Sequence, residues 1–254
     1  MTLEQRLRTV LFVGAHPDDE TMLAGGTLAL LSSQGVAVHI LCATRGEGGE
    51  MGVPPVCTRV ELGAVREGEL RCAAQQLGAA SVQVLGYVDP LIGPDEALYP
   101  FEADPVILAK QIVAAIDSVE AEVVLSHGSD GEYGHPGHQF LHRAVRRAVE
   151  SSNRQVVFYS FAANVPGIED HIWNASEHAH LALDVRPWLD RKESAALCHK
   201  TQHALFQRGG ARTIRAALRP VESFHRQTPP ADGRLQDPFA RFLRAAGAWE
   251  PPES

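Results

Sequence analysis

Short apolar, β-branched runs alternate along this chain with longer stretches of helical period, which restricts it to parallel βαβ construction. Val10 to Gly14 reads as a buried strand, followed by a helix from about Thr21 to Ser33 that Gly35 stops. Val36 to Ala43 is the next strand, Val60 to Leu77 a helix stopped by Gly78, and Val82 to Leu85 a third strand. Asp104 and Pro105 suit the cap and first turn of a helix running to about Val119. Glu122 to Ser126 and Val156 to Phe161 follow as strands, with a helix from His138 to Ser151 between them. Amphipathic helices around Trp188 to Phe206 and Pro238 to Ala246 flank a segment with no clear pattern. Trp249 to Ser254 reads as a loose tail. The expectation is an α/β fold in a single domain of 254 residues.

A chain of this size buries enough surface to hold a rigid site without disulfides. Its formal charge of −8 argues against nucleic-acid and anionic-membrane partners, which demand a basic face. No charged-then-apolar leader opens it, and no run of about 18 apolar residues spans a membrane. Cys42, Cys57, Cys72 and Cys198 are widely spaced with no CxxC pair. Buried, reduced thiols of a cytoplasmic protein are the simplest account.

Two loops carry the chemistry. In Ala15-His16-Pro17-Asp18-Asp19-Glu20, one imidazole and three carboxylates crowd between a strand and a helix. That is the carboxyl edge of a parallel sheet, where open α/β sheets bind ligands. The cluster is costly unless a cation or strong donors balance it. Helix capping by Asp18 or Asp19 explains one carboxylate and leaves the rest. The second loop, Gly128 to His138, follows a strand at the same edge and presents His135 and His138. Converging, the loops make a two-histidine, one-carboxylate set of His16, Asp19 and His138, which suits Zn²⁺ with an open position. The remaining members supply a carboxylate base and an imidazolium near a developing oxyanion.

Other features read more plainly. His142, four residues after His138, is a supporting or surface residue, and His171, His178 and His180 are solvated. His127, at a strand end beside the second loop, suits a supporting hydrogen bond. The glycine-rich stretch from Gly46 to Gly52 is a substrate-lining loop, because Pro54 and Pro55 prevent a dinucleotide-binding helix there.

Together the His-Pro-Asp-Asp-Glu and Tyr-Gly-His-Pro-x-His loops closely resemble the PIG-L/LmbE-like zinc-dependent N-acetylglucosamine conjugate deacetylase family. The likeness continues in Thr44-Arg45-Gly46-Glu47, in Arg66 to Gly78, in Gly86-Tyr87-Val88-Asp89 and in Lys192 to Gln202 with His199. It covers about residues 10 to 205, leaving 206 to 254 as a helical extension. The resemblance implies a Rossmann-like, mostly parallel sheet flanked by helices, and zinc on His16, Asp19 and His138. It implies Asp18 as the base for metal-bound water, His135 as a cationic group that polarises the carbonyl, and Tyr133 as an oxyanion donor. Arg66 and Asp89 match positions that hold sugar hydroxyls, and Glu50 is read likewise. The implied substrate is a small N-acetylglucosamine-type amide, and homo-oligomers are common in the family. Two alternatives are an amidase of larger thiol conjugates and a metal-holding sugar-binding module without turnover. Gly137 departs from the family pattern, which often has Asp or Asn there to orient the neighbouring histidine. Asp130 or Glu132, from the same loop, is the candidate replacement.

Overall fold

The computed structural model describes residues 6–168 and 172–252. His171 lies outside the described residues. Five parallel strands form the centre of the sheet: β1 (Thr9–Gly14), β2 (Ala37–Thr44), β3 (Ser81–Tyr87), β4 (Val123–Ser126) and β5 (Val157–Phe161). The connecting helices are α1 (Asp19–Ser33), α2 (Leu62–Leu77), α3 (Pro105–Ser118), the one-turn α4 (Gly131–Gly134) and α5 (Pro136–Ser151). Gly78 closes α2 in the left-handed conformation, and Asp104 caps α3 by accepting from the Val106 and Ile107 amides.

Strand alternation divides the core in two. Val10 and Phe12 of β1 join a cluster with α1 and α2, whereas Leu11 and Val13 join one with α3 and α5. A third helix, α6 (Leu189–Cys198), shares the α1 and α2 face.

The C-terminal part is less helical than expected. After the short pair β6 (Ala163–Asn164) and β7 (Asn174–His178) come β8 (Leu181–Asp184), the one-turn helices α7 (His203–Phe206) and α8 (Ile214–Ala217), and β9 (Val221–Thr228). β9 runs antiparallel between β5 and β8, so the sheet order is β3-β2-β1-β4-β5-β9-β8. The stretch read as a helical extension therefore supplies a strand of the main sheet. Its helix α9 (Pro238–Ala245) is capped by Asp237. Trp249, read as part of a loose tail, exchanges two 2.9 Å backbone hydrogen bonds with Ala182.

The cysteines also correct the sequence reading. Cys72 on α2 and Cys198 on α6 are disulfide-bonded, with Cα atoms 5.8 Å apart. The bond joins residues 126 apart in sequence, so spacing carried no sign of it; adjacent packing of α2 and α6 creates it. Cys42 and Cys57 are free thiols.

Helix α1, into which the first chemical loop runs, is anchored at mid-length. A Cβ on Gly26 would lie 2.4 Å from the Val185 Cβ, so only glycine permits this approach. The Gly26 and Thr27 amides each donate to Glu222 of β9 at 2.8 Å, and the buried Lys192 ammonium donates to the same carboxylate at 2.7 Å. Among the described residues, no helix is long and apolar enough to cross a membrane.

Candidate metal centre and active site

β1 and β4 are neighbours whose following helices pack on opposite faces of the sheet, which opens a crevice at their carboxyl ends. Both chemical loops leave into that crevice, and they meet. His16 Nδ1 lies 3.2 Å from His138 Nε2, and Asp19 Oδ1 lies 3.5 Å from the same nitrogen. Outward, His16 Nε2 faces Asp89 Oδ1 at 3.2 Å, and His138 Nδ1 faces Glu132 Oε2 at 2.5 Å.

Each imidazole thus donates an outer N–H to a carboxylate and turns the lone pair of its other nitrogen inward. Two lone pairs and a carboxylate oxygen converge in a buried space, which is unfavourable without a cation between them. Tetrahedral coordination with arms of about 2.0–2.1 Å separates ligand atoms by about 3.3 Å, close to the spacing found. The residues present therefore fit a divalent metal. The donors converge in two sets, His16 with His135 and His138, and Asp19 with His127 and His138, so the expected trio of His16, Asp19 and His138 is divided between them, with His16 Nδ1 3.8 Å from Asp19 Oδ2.

Asp18 sits beside this cluster with φ of 120°, a strained backbone for a residue with a side chain. It stands at the N-cap of α1, yet its side chain makes no capping hydrogen bond. Its Oδ2 instead accepts from Arg66 Nη2 at 3.1 Å, while the same nitrogen donates to the Pro17 carbonyl at 2.6 Å. Burial pushes the Asp18 carboxyl up to about 7 against the opposing pull of Arg66. Glu20 accepts the Asp18 amide at 3.1 Å and faces His199 Nε2 at 2.9 Å.

His135 stacks on His138 with ring centroids 4.4 Å apart. Its Nδ1 accepts the Gly137 amide at 3.1 Å, so that nitrogen carries no proton. Burial and the adjacent His138 and His16 rings push its pKa down to about 2. The occupied Nδ1 and the downward shift favour a ring that carries its proton on Nε2. The Tyr133 ring lies edge-on to His135 and His138, and partial burial with nearby Asp19 and Asp18 raises its phenol, which keeps its proton.

The model of the PIG-L family, described as GlcNAc-PI de-N-acetylase, matches residues 11–149 and so spans both chemical loops. The chain belongs to the PIG-L family. A 1D-myo-inositol 2-acetamido-2-deoxy-alpha-D-glucopyranoside deacetylase of Acidothermus cellulolyticus is 33% identical over 237 residues, covering 78% of this chain and 81% of that protein. Among solved structures, the N,N'-diacetylchitobiose deacetylase of Pyrococcus horikoshii superposes with a TM-score of 0.63 at 19% identity, over 87% of this chain and 84% of that one. The 4-carboxy-2-hydroxymuconate hydratase GalB of Pseudomonas putida KT2440 superposes with a TM-score of 0.60 at 25% identity, over 90% of this chain and all of that one. The PIG-L fold thus also resembles that of a hydratase, and the site must carry the functional argument.

The three residues matched to sugar contacts are engaged within this PIG-L chain. Arg66 is buried, and besides its bonds at the first loop it donates to the Gly46 carbonyl at 2.8 Å. Asp89 serves His16, and Glu50 pairs with Arg208. The segment after α6 braces helix α2 and the glycine-rich loop: Thr201 donates to Glu69 through its amide and hydroxyl, and Gln202 donates to the Glu50 carbonyl at 2.9 Å.

Gly137 fits closely where it stands. A Cβ there would lie 3.2 Å from His135 Nδ1 and 3.5 Å from His16 Cε1. Neither candidate replacement serves His135: Asp130 bonds the Ser176 amide and hydroxyl, and Glu132 bonds His127 and His138. His127 and His142 are both buried, and His142 Nδ1 donates to the His127 carbonyl at 2.9 Å.

Sequence reasoning missed Asn174. Its Oδ1 accepts the Glu132 amide and its Nδ2 donates to Glu132 Oε1, both at 3.1 Å. It lies in a stretch without periodicity, and nothing in the sequence signals its partner.

Proposed function

We propose that this chain is a zinc-dependent N-deacetylase that hydrolyses the acetamide of a small N-acetylglucosamine-type conjugate. The observation that carries this reading is the approach of His16 Nδ1 and Asp19 Oδ1 to His138 Nε2 at 3.2 and 3.5 Å, with the half-buried carboxylate of Asp18 beside them. Its PIG-L membership and its resemblance to a deacetylase of an N-acetylglucosaminyl inositol support the substrate class. His16, Asp19 and His138 hold the metal. When bound, Zn²⁺ supplies Lewis acidity that acidifies water and polarises an amide carbonyl.

The chain's own residues do the rest. Asp18, oriented by Arg66, accepts the proton of the attacking water. His135 donates its Nε2 proton and Tyr133 its hydroxyl toward the carbonyl oxygen as negative charge develops there. Asp18 then returns its proton to the amine nitrogen as the C–N bond breaks, giving acetate and the free amino sugar. Arg66 and Asp89 act by holding Asp18 and His16, which leaves sugar recognition to the loops around them.

Acetate release by the zinc-loaded protein tests the reading. The substrates are N-acetylglucosaminyl inositol, simple N-acetylglucosaminides and a larger amide conjugate. Release from the first two supports N-deacetylation, and cleavage of the larger conjugate alone supports the amidase alternative. Zinc uptake with no hydrolysis of any of them leaves a binding module.

A further inference from the structure

His127 and Glu132 join the metal donors Asp19 and His138 in a circuit of four buried side chains. Asp19 Oδ2 faces His127 Nε2 at 3.2 Å, and His127 Nδ1 faces Glu132 Oε2 at 2.9 Å. That same Glu132 oxygen meets His138 Nδ1 at 2.5 Å, and His138 Nε2 returns to Asp19 Oδ1 at 3.5 Å. His127 and Glu132 are at most 2% exposed, so neither reaches substrate.

We infer that Glu132 and His127 are positioning residues for the metal, joining a donor from each loop into one unit. The inference rests on the reading of Asp19 and His138 as metal donors. Asp19 belongs to the loop after β1 and His138 to the loop after β4, with no short backbone link between them. The circuit supplies that link. One carboxylate oxygen on both imidazoles fixes their separation, and the rings stack with centroids 3.9 Å apart. Glu132 is itself held rigidly. Its backbone has φ of 62°, its Oε1 accepts the Gly128 amide at 3.0 Å, and Asn174 grips both its amide and its carboxylate. A carboxylate so tied cannot relax to follow a displaced histidine, so its loss releases both rings together. Removing such a carboxylate or histidine partner of a metal ligand lowers metal affinity about 10–100-fold.

The test is a zinc competition titration against a chromogenic chelator, with the visible spectrum of the cobalt-substituted protein as a coordination signature. The full-length chain is compared with Glu132→Gln, His127→Gln, the double variant, and Asp130→Asn as a control in the same loop. Each single variant is expected to weaken zinc about 10–100-fold and shift the cobalt bands, and the double variant to be no worse than the weaker single. Asp130→Asn keeps the wild-type affinity. A merely structural role lowers thermal stability but leaves the zinc Kd of the folded protein and the cobalt bands unchanged. Folded Glu132→Gln with a Kd within about threefold of wild type overturns the inference. If Glu132→Gln lacks the native circular dichroism spectrum, His127→Gln decides by the same criterion. Wild-type protein that binds no zinc overturns the metal reading itself.

Discussion

Asp89 Oδ1 lies 3.2 Å from His16 Nε2, on the edge of the ring opposite the nitrogen that faces His138. The carboxylate holds the imidazole in the tautomer that frees Nδ1 for a metal. Asp89→Asn is expected to weaken zinc binding roughly tenfold and to lower kcat. Zinc affinity measured beside KM checks this. A variant with unchanged zinc affinity and a raised KM would mark Asp89 as a sugar contact instead.

His135 stands close to the proposed metal donors but has its own task. Its Nδ1 is occupied by the Gly137 amide, so only Nε2–H is available to a substrate oxygen. His135→Ala is expected to retain one zinc per chain and to lose kcat by about a hundredfold or more. Metal analysis and steady-state kinetics on one preparation check both halves. Near-normal turnover contradicts the assignment.

The disulfide between Cys72 and Cys198 closes a loop of more than a hundred residues, which constrains the unfolded chain strongly. Replacing both with serine should cost about 2–4 kcal/mol and lower the melting temperature by roughly 5–15 °C. Calorimetry of the wild type with and without a dithiol reductant should show the same displacement. Identical melting of oxidised and reduced protein would contradict the expectation.

His180 accepts the Arg226 amide through Nδ1 at 2.9 Å and stacks on His225. Burial, with His225 and His178 nearby, pushes its pKa down to about 4, from an ordinary value near 6.5. Between those values the unfolded chain takes up a proton that the folded chain refuses. The stabilising contribution is complete above about pH 6.5 and is lost as pH falls toward 4. His180→Asn keeps an acceptor for the Arg226 amide, so its melting temperature should fall less than the wild type's between pH 7.5 and 5. Equal slopes for the two proteins would contradict this.

Much of the fold was legible because periodicity reports burial directly. The five parallel strands and Asp104's cap follow from apolar runs and punctuating residues. β7 and β9 were not legible because their sequences mix polar residues of differing burial, and β8 is an apolar run of only three residues ahead of Asp184. Glu222 and Ser223 are buried polar groups on β9, and their partners lie on α1 and β6. In the site, the His-Pro-Asp-Asp-Glu loop and His138 stood out by crowding of charge. The supports did not. Glu132 looks like any acidic loop residue until the fold places two imidazoles on one of its oxygens. Arg66 looks like half of an exposed helical ion pair with Glu69, yet its guanidinium serves Pro17, Asp18 and Gly46.

The most direct measurement is acetate release from N-acetylglucosaminyl inositol before chelation, after metal removal, and during stepwise return of zinc. Loss to below about a hundredth of the starting rate, then recovery complete at one zinc per chain, is the predicted result. Undiminished hydrolysis by the metal-free chain would contradict the account.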